Sequence, residues 1–172
     1  KNIVSVSPPK THDNVVVTLS LKNVSVGAIK KGFKAEIHEG YQAINLSIFR
    51  LSKLLTPSLT VLDGYLAMEG EGPVNGEPVK WDVCIASLDA VAADSFTAWL
   101  MGFNPLEIGY LYYFEKYKLA RVDPSEIEVV GDNPERARRK FKPHSTYKQQ
   151  LNWRVEDEKL KKIENVLLDL NP

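Results

Sequence analysis

Two stretches of the chain carry side chains that could do chemistry. The first, residues 10–14, reads Lys-Thr-His-Asp-Asn and places a cation, a hydroxyl, an imidazole, a carboxylate and an amide together. The second, residues 63–76, contains three acids and four glycines after an apolar run. Imidazole and carboxylate side chains are common general acids and bases. If the fold brings the two stretches together, the candidate catalytic residues are Lys10, His12, Asp63, Glu69 and Glu71.

The glycines of the second stretch favour a loop whose backbone can approach a ligand closely. The spacing Gly70-x-Gly72-x-x-x-Gly76 differs from that of a dinucleotide-binding loop, and Pro78 and a predicted strand follow it instead of a helix. A small anionic metabolite fits better, because lysines offer charge-assisted contacts. The candidate ligand-binding residues are Lys22, Asn23, Gly70, Gly72, Gly76 and Asp94.

Metal binding is a further alternative for the histidines. His12 and His38 could join the carboxylates of residues 63–71 as ligands, since imidazole and carboxylate suit zinc, iron or manganese. They do not have the i, i+4 spacing of a helical ligand pair, so the sequence assigns no metal. His144 follows a proline in a basic segment, where we expect it to be exposed.

The composition limits the class of protein. The 172 residues contain 22 lysines and arginines against 22 aspartates and glutamates, so no overall charge attracts nucleic acid or an anionic membrane. The lone cysteine, Cys84, lies in an apolar run where we expect burial, and one cysteine cannot hold an iron–sulfur cluster within this chain. No apolar run reaches the roughly 18 residues of a membrane span, which favours a cytoplasmic protein.

Apolar periodicity predicts alternating strands and helices. The predicted strands are residues 3–6, 59–62, 83–87 and 127–130, and the predicted helices are residues 18–29, 41–55, 90–101, 105–118 and 156–170. Residues 63–76 are expected to form a loop. This order predicts an α/β fold with a mixed, largely parallel sheet flanked by helices, and ligands of such folds lie beyond the strand ends.

Asp94 stands out because its predicted helix is otherwise largely apolar. A buried carboxylate needs a partner, so Asp94 either caps the amides of a neighbouring loop or serves a ligand.

The character of the chain changes after residue 131. Five basic residues between Arg136 and Lys142 predict a solvated face or a flexible arm, and the final helix carries Leu160, Ile163, Leu167 and Leu170 along one side. We therefore divide the chain into an α/β domain, residues 1–131, and a basic arm with a C-terminal helix, residues 132–172.

An ordered set of short motifs resembles the family catalogued as domain of unknown function 362. The set is Lys10-Thr11-His12, Leu21-Lys22-Asn23, Asp63-Gly64, residues 69–73 with Gly76, Asp89 with Ala92 and Asp94, and Met101-Gly102. The resemblance implies association with iron–sulfur redox proteins, whose cluster would lie outside this chain. It also implies that the chain corresponds to the C-terminal part of a longer domain, in agreement with its start on an apolar strand.

Two classes of function fit these observations. In the first, the chain is a metabolite-binding and catalytic domain that uses residues 10–14 and 63–76. In the second, it is a structural or interaction module whose C-terminal helix packs against a partner, including another copy in a homo-oligomer.

Overall fold

A long β-hairpin forms the centre of the structure, which is a computed structural model that describes residues 2–168. Strand β4 (Leu59–Glu69) pairs antiparallel with β5 (Glu77–Ser87) along its length. The register shifts between Gly64 and Leu66, where a β-bulge interrupts the ladder. Residues 63–69, predicted as loop, therefore belong to a strand, because pairing with β5 overrides the turn preference of Asp63 and Gly64.

The remaining strands complete a mixed five-stranded sheet. Strands β1 (Val4–Ser7) and β2 (Lys10–His12) each run parallel to β4, and β2 pairs antiparallel with β3 (Val16–Thr18). Pro8 and Pro9 separate β1 from β2, since proline has no amide hydrogen to donate. The predicted α/β class and the mixed sheet are confirmed, with two of the four strand pairings parallel.

Helices pack on this sheet and on one another. The α-helices in the described part of the chain are α1 (Ser20–Gly27), α2 (Tyr41–Leu54), α3 (Ala90–Leu100), α4 (Gly109–Lys116), α5 (Pro134–Ala137), α6 (Tyr147–Gln150) and α7 (Asp157–Leu168). Short 3₁₀ turns are Lys34–Ile37, Pro105–Glu107, Pro124–Glu126 and Leu151–Trp153.

Two carboxylates cap the N-termini of the helices that cover the sheet. Asp89 caps α3 as predicted, because its Oδ1 accepts from the amides of Val91 and Ala92. Helix α1 follows Leu19, whose side chain offers no acceptor. Asp94 supplies that acceptor from α3.

Both oxygens of Asp94 serve the start of α1. Oδ1 accepts from the Ser20 amide at 2.8 Å and Oδ2 accepts from the Leu21 amide at 2.9 Å. Burial raises the pKa of the Asp94 carboxyl to about 7, although the two amides act in the opposite direction. Of the two alternatives, Asp94 therefore caps neighbouring amides.

The helices form two layers on one face of the sheet. The Ser20 hydroxyl hydrogen-bonds to the Thr60 hydroxyl of β4 at 2.8 Å, and Ser25 of α1 hydrogen-bonds to Ser52 of α2 at 2.9 Å. Helix α4 packs behind on α2, where the Phe49 ring lies 5.0 Å from that of Phe114. The layer order is therefore sheet, then α1 and α3, then α2 and α4.

The segment after α5 is an ordered arm that packs on the hairpin. The amides of Arg139 and Phe141 donate to the carbonyls of Leu100 and Met101. Phe141 is buried, with its ring 4.9 Å from Trp81 of β5. The five basic side chains between Arg136 and Lys142 are exposed, in agreement with the predicted solvated face, while Phe141 anchors the segment on the hairpin.

Three further predictions need correction. Residues 127–130 lie in no strand, so three of the four predicted strands share the sheet, and residues 16–18, predicted as loop or helix, form β3. Cys84 is exposed, since it lies on the face of β5 that no helix covers.

The final helix packs on the protein through its first turns. Leu160 is buried and Ile163 packs against the core. The side chain of Leu167 and the whole of Leu170 lie outside the described residues. Residues 1 and 172, at which the two predicted domains begin and end, also lie outside them. None of the described helices is long and apolar enough to cross a membrane.

Replacement of Asp94 with alanine should destabilise the protein strongly. The change leaves two buried amides without acceptors, at a cost of about 1–3 kcal/mol each. We expect the free energy of unfolding, measured by urea titration, to fall by about 2–4 kcal/mol. The control Asp89→Ala removes a more exposed cap and should cost about 1 kcal/mol. Equal losses in the two variants would contradict this role of Asp94.

Candidate functional site

The β2–β3 hairpin and helix α1 bring three of the predicted site residues together. Lys10 and His12 lie on β2, and Lys22 lies in the first turn of α1. His12 is 3% exposed, whereas Lys10 and Lys22 are partly exposed. The two elements meet because β3 leads through Leu19 directly into α1.

The His12 ring is neutral near pH 7. Burial, reinforced by the Lys22 cation, lowers its pKa to about 3 against the opposing effect of Asp13. The Asn14 amide donates to Nδ1 at 2.9 Å, and an amide hydrogen can only be donated. The proton of the neutral ring therefore sits on Nε2, and the 3.0 Å approach of the Asp13 carboxylate to Nδ1 becomes an ion pair only when the ring is protonated.

Lys22 is the cation at the centre of this group. Burial lowers its pKa to about 8, Asp13 opposes that shift, and Lys34 and Lys10 add to it. The structure gives the Lys22 ammonium no hydrogen bond or ion pair with any described residue. Lys22 thus lies near two other lysines and one carboxylate in a chain whose total charge is zero.

The glycine-rich turn between β4 and β5 packs against β2. Thr11 Oγ1 donates to the Gly70 carbonyl at 2.8 Å, and Lys10 Nζ lies 3.5 Å from the Pro73 carbonyl oxygen. A Cβ atom on Gly72 would clash with the Thr11 carbonyl oxygen, and one on Gly76 would lie 2.5 Å from the Glu69 carbonyl oxygen. The backbone that lies close to these two glycines therefore belongs to the chain itself.

The acids of the turn hold the basic arm. Glu69 accepts from the Lys142 amide at 3.1 Å, with an Arg139 nitrogen 3.9 Å away. Glu71 accepts from the amide and the hydroxyl of Ser145, both at 3.0 Å, and lies 3.1 Å from His144 Nε2. Residues 139–145 therefore supply the partners of both carboxylates.

Asp63 lies apart from the other candidates. It is exposed, and its Oδ1 accepts from the Tyr65 amide at 3.0 Å. Its position in β4 places it on the sheet face opposite to that covered by α1, because its neighbours Leu62 and Gly64 are buried on the covered face.

Two residues that the sequence did not indicate support the hairpin from behind. Gln150 donates to the His12 carbonyl at 2.8 Å and accepts from the Val16 amide, and Thr146 Oγ1 donates to the Asp13 carbonyl at 2.8 Å. The His144 side chain is 11% exposed, so the prediction of exposure was wrong. The partners lie more than 130 positions apart in the chain, so no local sequence signal could have paired them.

The remaining candidates show no ligand geometry. Asn23 is exposed on α1, and Asp94 serves the amides of that helix. His38 is exposed, with Nδ1 2.5 Å from the Lys34 carbonyl oxygen. Across residues 2–168 the structure contains no group of three or more histidine, cysteine or acidic side chains placed to hold a metal ion.

Two surface grooves lie away from this group. One, of about 630 Å³, lies between β5, α3 and residues 127–137, and another, of about 750 Å³, lies near the end of α3. Neither is lined by Lys10, His12 or Lys22. We place the candidate site at the lysines because a partly buried cation with no partner among residues 2–168 is a more specific feature than an open groove.

Comparisons with known proteins indicate the relatives of the chain. The family model described as Domain of unknown function (DUF362) matches residues 1–99. Thylakoid-associated protein sll1697 from Synechocystis sp. (strain ATCC 27184 / PCC 6803 / Kazusa) is 26% identical over 131 residues, which are 74% of this chain. The chain spans 40% of the length of that relative. No solved structure matches.

Replacement of Gly72 with alanine should destabilise the fold even in the absence of a ligand. The new methyl group would overlap the Thr11 backbone, and overpacking of this kind costs roughly 1–3 kcal/mol. Gly27→Ala is the matched control, since a Cβ there meets nothing within 4 Å and alanine favours a helix. Thermal unfolding should show a lower Tm for Gly72→Ala and an unchanged or higher Tm for Gly27→Ala. The reverse order would contradict the packing of the turn on β2.

Acidification should weaken the protein through His12. Between pH 6.5 and about 3 the unfolded histidine binds a proton that the folded one does not, so stability falls as the pH falls. From pH 6.5 to 5 this amounts to about 2 kcal/mol, at roughly 1.4 kcal/mol per pH unit.

The measurement compares urea unfolding of the wild type and His12→Asn at each pH. Asp94 acts in the opposite direction, because its raised pKa relieves a cost as the pH falls below about 7, but it is common to both proteins. The difference between them should therefore isolate His12. Parallel pH profiles would show that the folded ring titrates normally.

Proposed function

The chain belongs to the family described as domain of unknown function DUF362, and we propose that the site formed by β2 and α1 binds a small anionic metabolite carrying a carboxylate or phosphate group. The observation that carries the proposal is the partly buried Lys22 ammonium, which has no partner among the described residues. A buried charge is costly without a counterion, and an anionic ligand would supply one.

The surrounding groups determine what kind of anion fits. Lys10 and Lys34 add positive charge near Lys22, while Asp13 offsets part of it. His12 offers an Nε2 hydrogen for which the described residues provide no acceptor. A carboxylate or phosphate oxygen could accept from His12 and Lys22 together, and such charge-assisted hydrogen bonds are the stronger kind.

Any proton transfer at this site would fall to Lys22. Its pKa of about 8 lies close to neutral pH, whereas the pKa of His12, about 3, keeps that ring a neutral donor. In this proposal Lys10 and His12 bind the anion, and Glu69 and Glu71 keep the turn and the arm in place. If the protein serves an iron–sulfur redox system, the cluster lies on another polypeptide segment, since Cys84 is the single cysteine.

A thermal-shift screen with inorganic phosphate, acetate and citrate tests the proposal. An anion at 100 times its Kd should stabilise the wild type by about 2.7 kcal/mol, because it binds only the folded state. For a chain of this length that corresponds to a Tm increase of roughly 5–10 °C. The increase should disappear in Lys22→Met.

Lys162→Met is the charge-matched control, since Lys162 is exposed on α7. It should keep the full Tm increase. Equal shifts in the two variants would indicate general salt effects and would contradict the site. No shift in the wild type with any of the three anions would also count against it.

A further inference from the structure

Strand β5 lies at an edge of the central sheet. It pairs with β4 on one side, and no strand in the described part of the chain pairs with its other side. Edge strands of natural proteins usually carry charges, prolines or bulges that prevent another strand from pairing with them. Residues 83–87 read Val-Cys-Ile-Ala-Ser, and they contain neither a charge nor a proline. This part of β5 can therefore accept a further strand.

A groove of about 630 Å³ runs along this edge. Seven consecutive residues of β5, residues 81–87, line it. The face of a strand presents only alternate residues, whereas its edge presents the backbone of every residue. The groove therefore lies against the edge of β5, and its volume is within the range of about 300–1,000 Å³ that ligand sites have.

The opposite wall of the groove is a second extended segment without a strand partner. Residues 127–131 read Ile-Glu-Val-Val-Gly, a composition typical of a strand, and Val129 and Val130 are 43% and 91% exposed. No backbone hydrogen bond joins this segment to residues 83–87. The Trp81 Nε1 hydrogen is donated to the Ala137 carbonyl at 2.7 Å, so the two walls are joined at one end.

Apolar side chains form the floor of the groove. Helix α3 contributes Ala92, Phe96 and Leu100, and Ala92 is partly exposed there. Val83 and Ile85 of β5 also line the groove and are only half-buried. A strand beside β5 would cover this floor with every second side chain, because alternate residues point to the same face.

We propose that this groove binds an extended segment of a partner polypeptide, which pairs with the edge of β5 as an additional strand. In this mode of recognition main-chain hydrogen bonds supply the affinity and alternate side chains supply the specificity. A strand that pairs with residues 83–87 spans about 17 Å. Its apolar side chains face α3 and its polar side chains face solvent.

The charges of the groove favour a basic partner. Glu128 and Asp132 line it, are exposed, and have no ion pair with any residue in the range 2–168. Asp82 lies 3.6 Å from Lys80, so Arg136 is left as the cation that opposes the other two acids. One negative charge remains in excess. A second copy of β5 would bring the same acids to the groove, whereas a strand with a flanking lysine or arginine would compensate them.

Fluorescence anisotropy on the full 172-residue chain tests the proposal. The probe is the peptide Lys-Val-Thr-Val-Thr-Val-Lys with blocked ends and a neutral fluorophore. We expect a Kd of about 10–100 µM, because one added strand buries less surface than a standard interface. The same peptide with N-methylated valines should not bind at protein concentrations up to about 500 µM, since it lacks the amide hydrogens for pairing.

Two substitutions in the groove locate the binding. Ala92→Trp fills the floor and should abolish binding, with the Tm showing that the variant is folded. Glu128→Lys should raise the Kd of the lysine peptide about threefold to tenfold and lower that of a glutamate-flanked version. Glu158→Lys is the matched control for charge, because Glu158 is exposed on α7 outside the groove, and its Kd should equal that of the wild type.

Hydrogen exchange of the wild type gives an independent readout. Saturation with the peptide should slow exchange of the residue 83–87 amides that face the groove, because they become paired. Absence of binding by the wild type, binding of the N-methylated peptide, or binding that persists in Ala92→Trp would each overturn the proposal. If the peptide-free protein sediments as a dimer that the peptide does not dissociate, the edge serves a second copy and the proposal is also overturned.

Discussion

The hydrogen bonds between the Asp94 carboxylate and the first amides of α1 are the constraint on which the candidate site depends. Helix α1 has no capping side chain of its own, so this buried group on α3 fixes where α1 begins. The next residue after the two capped amides is Lys22. The placement of the lysine beside the β2–β3 hairpin therefore follows from a carboxylate that lies in the interior and touches no solvent.

The positive character of the site comes from how the chain distributes its charges. Glu69 and Glu71 could have neutralised nearby lysines, but their oxygens accept from residues of the basic arm. The arm also brings Gln150 and Thr146 against the carbonyls of His12 and Asp13. The arm thus pairs with the acids of the turn and supports the hairpin, and Asp13 is the carboxylate that acts on Lys22 beside Lys10 and Lys34.

Local signals in the sequence predicted helices α2 and α3 well and the hairpin poorly. The apolar spacing and the cap at Asp89 indicated α2 and α3 to within a residue or two, because these signals act within one turn of helix. Residues 63–69 resemble a loop until β5 pairs with them, and the exposure of Cys84 depends on which face the helices cover. The partners of Glu71 lie 74 positions away, so its role in holding the arm depends on tertiary structure alone.

A bulge at Gly64–Leu66 interrupts the central hairpin, whose turn packs on the candidate site. The Trp81 ring lies against Gly64, where an added Cβ would lie 2.8 Å from the ring. Position 64 therefore has no room for a side chain on the covered side of the hairpin. At the bulge Tyr65 faces two residues of β5, Trp81 and Asp82, and Ala67 is the next buried residue of β4 on the covered face. Near the end of β4, Met68 pairs with Lys10. The glycine-rich turn that follows lies against Thr11. The bulge thus lies beside the exposed side chains of Tyr65 and Leu66, in the hairpin whose turn packs on Thr11.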